Sequence, residues 1–181
     1  GAAPSLLDMA RMRPMIHAPP SFSLSQMPSL LTPILLCLHL LAAALWVGGM
    51  ATFHFAVRPA AVDSLEPPQR LRLLSGALGR FFRWVLAAIA LLLVTGFAMV
   101  QLAGGMGAVR WHVHAMLGIA ILMMVIFGVI YGHHYPQMAE KVVAGDWKAG
   151  AAALARIRQL VFINLWLGVA VFVIAVVGPA L

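Results

Sequence analysis

Charge is what this chain has least of. Only five side chains are acidic (Asp8, Asp63, Glu66, Glu140 and Asp146), and Asp, Glu, Lys and Arg together make up 9% of 181 residues. A soluble domain carries about 25%. A water-facing surface is thereby excluded over most of the chain. None of the acidic residues falls within a long apolar stretch, so no carboxylate proton relay through a membrane is available. There is one cysteine, Cys37, and hence no internal disulfide. Neither a glycine-rich phosphate loop nor a serine nucleophile motif is present, and nothing suggests nucleic-acid readout.

What is present is apolar: 63% of residues are hydrophobic. Spanning ~30 Å of hydrocarbon takes about 20 apolar residues in a helix, and four stretches qualify, at about 30–57, 81–102, 111–135 and 160–177. Open strands are excluded because lipid satisfies no backbone hydrogen bonds. The expected fold is all-α: an antiparallel four-helix transmembrane bundle. Short interfacial helices are expected in its two long connections, around Leu71, Leu73, Leu74 and Leu78 and around Ala151–Leu154. Residues 1–29, broken by Pro4, Pro14, Pro19, Pro20 and Pro28, are expected to form a disordered leader or a segment foreign to the fold, with Met27 as an alternative start. Residues 30–181 form the membrane domain.

The basic residues set an orientation. Arg58, Arg70, Arg72, Arg80 and Arg83 flank the first connection, and Lys141, Lys148, Arg156 and Arg158 the third. Only Arg11, Arg13 and Arg110 lie on the other side. Nine against three predicts that both long connections are cytoplasmic and both termini outside, which in a bacterial inner membrane means periplasmic. The net charge of +7 is read as loop anchoring rather than as a polyanion site.

Histidine is the informative polar group. His39 lies within the first span and His54 near its inner end; His112 and His114 begin the third span, and His133 and His134 end it. Parallel directions place His39, His112 and His114 in the outer half. His39, Ala43, Trp46 and Met50 follow helical phase, with Gly48 and Gly49 beside them to admit a helix or a flat ligand. Two facing histidines, here His39 and His114, can clamp a haem iron or bind copper. Cys37, Met99, Met106 and Met116 fall towards the same half, and thiolate, thioether and imidazole together suit Cu(I). The plain alternatives are methionine as packing, His54, His133 and His134 as interfacial residues, and His112 as a loop residue. Thr95, Gln101 and Asn164 read as interhelical hydrogen-bond groups.

The run from His39 to Gly49, with Trp46-Val47-Gly48-Gly49 at its end, resembles the corresponding helix of the CopD copper-resistance membrane domain. Arg80-Phe81-Phe82-Arg83 and Val94-Thr95-Gly96 are similar to that family's Arg-Phe-Ser and Thr-Gly pattern. The resemblance covers about residues 30–135, the fourth span agreeing in hydropathy. It implies an inner-membrane protein that handles copper, in transport or resistance, with a periplasmic copper-binding protein as partner. The first span also resembles the HemJ type of protoporphyrinogen oxidase, a haem protein whose third span carries a His-x-Lys pair, matched in position by His114 and Met116. That resemblance implies a b-type haem redox protein. A cofactor-free membrane subunit is the third expectation, and each is compatible with a homo-oligomer.

Overall fold

Helix is the one conformation in which each apolar stretch satisfies its own backbone, and the computed structural model, which describes residues 27–181, is built accordingly. The expectation for residues 1–26 lies outside the described residues. In order, α1 covers Met27–Thr52 and runs through a π-helical turn (Phe53–Val57) into α2 (Arg58–Ser64). After a tight turn, α3 covers Pro67–Leu102. Then α4 (Trp111–Val129) runs through a second π turn (Ile130–His134) into α5 (Tyr135–Val143). Finally, α6 covers Trp147–Val177 and a 3-10 turn takes Gly178–Ala180. Four continuous helical rods result, Leu30–Ser64, Pro67–Leu102, Trp111–Val143 and Trp147–Ala180, each long and apolar enough to cross a membrane. The protein is an all-α integral membrane bundle.

The helices do not stop at Pro59 and Pro136, where the first and third spans are expected to end. A helical proline lacks its N–H and its ring crowds the carbonyl four residues back. In both rods a π turn sits immediately before the proline, two residues upstream of it. The wider i→i+5 turn absorbs the misfit, and the helix continues. Likewise the helix that carries the second span begins at Pro67, and the one that carries the fourth at Trp147. At Trp147 the Asp146 carboxylate caps the helix by accepting from the Ala149 N–H at 3.0 Å. The expected interfacial helices therefore exist as extensions of the spans. A 36-residue helix rises ~54 Å, well beyond the ~30 Å of hydrocarbon, and the surplus lies at the arginine-rich end.

The first rod packs along α3 and on α6, and the third rod along α6. Between the second and third rods, α3 closes on α5 rather than along α4. Phe82, 1% exposed, is the keystone of that closure, with its ring edge-on to Phe127, Tyr131 and Tyr135. Gly79 admits the Tyr135 hydroxyl, which donates to the Ser75 carbonyl at 3.3 Å. Gly49 admits the Phe81 ring. At Gly168, a Cβ would stand 2.6 Å from Val47 Cγ2 and 3.3 Å from Met123 Cε. Glycine there lets three rods meet and fixes Val47 and Met123 at one depth. Towards the other end α3 and α4 are joined by residues 103–110, where Gly104 and Gly105 take φ of +97° and +92°. Arg110 Nη1 donates to the Pro179 carbonyl at 2.7 Å and ties that turn to the end of α6.

Candidate metal centre

His39 lies on the inward face of α1, one turn before buried Ala42 and in line with buried Trp46 and Met50. It is half-buried and turned towards α3, where its Nδ1 stands 2.8 Å from Thr95 Oγ1. Thr95 is 1% exposed, and its hydroxyl donates to the Leu91 carbonyl at 2.7 Å. A hydroxyl has one proton to give. Where that proton goes to Leu91, Thr95 accepts from a His39 Nδ1–H; where it goes to His39 Nδ1, the ring hydrogen is on Nε2. In the first arrangement Nε2 keeps its lone pair. A second partner that fixes the tautomer is how proteins prepare a ligating imidazole. Gly96 completes the seat, since a Cβ there would come 3.3 Å from His39 Cε1.

Depth follows from Gly168. His39 lies eight residues outward of Val47 and Met116 seven outward of Met123, ~12 Å and ~10 Å of rise respectively. By this count His39 and Met116 stand at similar depth. The facing is different. His114 lies nine residues before Met123, half a revolution away, and is exposed. The structure does not bring His39 and His114 together. On the inward face the sequence of residues is His112, Met116, Ile119, Met123 and Phe127. His112 packs against Gly178, and its Nδ1 is buried without a partner among the described residues. Sequence reasoning set His112 aside as a loop residue. The i, i+4, i+7, i+11 phase running to Met123 is the signal that identifies it.

The sulfur donors divide in the same way. Met99 is half-buried one turn beyond Thr95 on the same face of α3, and Met116 is half-buried on α4. Cys37 and Met106 are exposed. Trp46 is 4% exposed and edge-on to Phe127, while Phe81 fills the space at Gly49 and Gly48 faces open space. Trp46 and Gly49 are thus used for packing, and Gly48 is exposed. His54 stacks on Phe162, and His133 Nε2 lies 3.3 Å from Gln137 Nε2. Among the described residues no three His, Cys, Asp or Glu side chains are grouped to hold an ion. Asn164, expected to bridge helices, is buried with Oδ1 lacking a partner among the described residues.

What the end opposite the arginines offers is one imidazole anchored at Nδ1 by Thr95, one imidazole nitrogen without a partner among the described residues, and two half-buried thioethers. This soft, neutral donor set fits a monovalent copper ion and has no anionic group to favour a hard one. The family profile described as copper resistance protein D matches residues 75–178, which takes in Thr95, Gly96, Met99, His112 and Met116 and extends through the fourth span. His39 and Cys37 lie outside the match. No curated protein and no solved structure matches the chain. With more than half its length in that match, the chain belongs to the CopD copper-resistance family.

Proposed function

We propose that the protein handles copper as Cu(I), carried as cargo, with His39 Nε2 as the anchoring ligand. The observation that carries this reading is the contact of His39 Nδ1 with Thr95, whose hydroxyl also reaches the Leu91 carbonyl; the reading takes the tautomer with the hydrogen on Nδ1, which leaves Nε2 free to bind the ion. Met99, His112 and Met116 are the inward-facing donors to which the ion would pass by ligand exchange, one bond forming as another breaks. His114, Cys37 and Met106, which face outward, would serve the approach from outside. The arginine-rich end is assigned to the cytoplasm and the His39 end to the periplasm of a bacterial inner membrane. A periplasmic copper-binding protein is then the natural donor or acceptor.

Proteoliposomes containing the full chain and loaded with a Cu(I)-responsive dye test the transport reading. Faster Cu(I) entry than in protein-free liposomes is expected, and equal rates would contradict it. Thr95 is the positioning residue. Thr95→Val keeps the shape but frees the tautomer, and Cu(I) affinity is expected to fall by about tenfold, the lower range for loss of a partner to a ligating histidine. Thr95→Ser should restore it. An unchanged affinity in Thr95→Val would remove this contact from the account.

A further inference from the structure

At the arginine-rich end the first, second and fourth rods enclose a cavity of about 260 Å³ that the copper reading does not use. Arg58 of α2, Arg70 of α3 and Arg158 of α6 line it, with His54 of the first π turn. All three arginines are half-buried, and among the described residues none makes a hydrogen bond or an ion pair with protein. The nearby carboxylates do not supply one. Asp63 and Glu66 are exposed and do not line the cavity, Asp146 caps α6, and Glu140 pairs with Lys141 at 3.4 Å. Three arginines lining one partly open cavity with no protein anion beside them make it cationic and suited to an anion. The rest of the wall is apolar: Leu71, Leu74, Leu78 and Val161 continue from the arginines along α3 and α6 towards the membrane-embedded part of the bundle. A wall that is cationic at one end and aliphatic at the other matches an amphiphile with a phosphate head.

We infer that this cavity binds an anionic phospholipid, its phosphate on Arg58, Arg70 and Arg158 and the start of an acyl chain along the leucines. Arginine suits the role because its planar fork meets phosphate oxygens two at a time. Basic pockets between transmembrane helices at the headgroup level are established sites for such lipids. Bound there, the lipid would brace the first, second and fourth rods where they project beyond the hydrocarbon.

Native mass spectrometry of the full chain in detergent tests this, with titrations of phosphatidylglycerol, phosphatidylcholine and inorganic phosphate. Phosphatidylglycerol is expected to bind at least about tenfold more tightly than phosphatidylcholine. The double variant Arg70→Gln/Arg158→Gln should erase that preference. Arg70→Lys/Arg158→Lys should keep part of it, which a merely misfolded variant would not. Arg83→Gln, which alters an exposed arginine outside the cavity, should leave it intact. Equal binding of the two lipids overturns the proposal, as does an equal loss in Arg83→Gln. Displacement of phosphatidylglycerol by inorganic phosphate at equal concentration would assign the arginines to a free anion and overturn the lipid assignment.

Discussion

Alanine in place of Phe82 is expected to cost the bundle about 3 kcal/mol, the low end of the usual range for emptying a buried aromatic position. The low end applies because lipid tails are as apolar as the core, so the transfer contribution largely cancels and the lost packing remains. That loss is concentrated. Phe82 meets Tyr135, Phe127 and Tyr131 at centroid separations of 5.4, 5.6 and 6.3 Å, and these rings all belong to the third rod. Because α3 does not pack along α4, this cluster is the principal join between the second and third rods. Trp84→Ala removes a larger ring two residues on, but Trp84 is 65% exposed. It should cost less than about 0.5 kcal/mol, as surface changes do. Unfolding both variants by titrating a denaturing detergent into a mild one measures the difference. Equal losses would show that Phe82 is not the join.

The spans were legible because four apolar stretches of sufficient length leave the backbone no alternative to helix. Their ends were not. Proline normally stops a helix, and nothing local in Phe53–Val57 or Ile130–His134 announces a π turn that carries the helix past it. The charged extensions read as connections with short separate helices because hydropathy falls there, although Leu71, Leu74 and Leu78 are buried on the same helix face as Phe82 and Val85. Facing was the harder matter. In water an apolar stripe marks the inward side of a helix, but a helix sheathed in lipid is apolar all round. His39 could still be phased, since Trp46 and Met50 repeat along its face. On the third span His114 and Met116 differ by more than half a revolution, and the choice between His112 and His114 rests on packing at Gly168 and Gly178. Thr95 was correctly read as an interhelical hydrogen-bond group, yet its partner is the histidine itself.

His39→Ala removes the anchoring ligand and should weaken Cu(I) binding by at least about a hundredfold, more than the loss of any partner to a ligating histidine. His54→Ala, which alters a histidine stacked on Phe162 at the other end, should leave binding near that of the unaltered chain. The decisive measurement is a competition titration of the purified full chain with a chromophoric Cu(I) chelator, the absorption spectrum being recorded throughout. The account predicts that the colourless protein withdraws Cu(I) from the chelator, that His54→Ala does the same, and that His39→Ala does not. A His39→Ala protein that takes Cu(I) as tightly as the unaltered chain, or a red protein with a Soret band that this substitution abolishes, would contradict it.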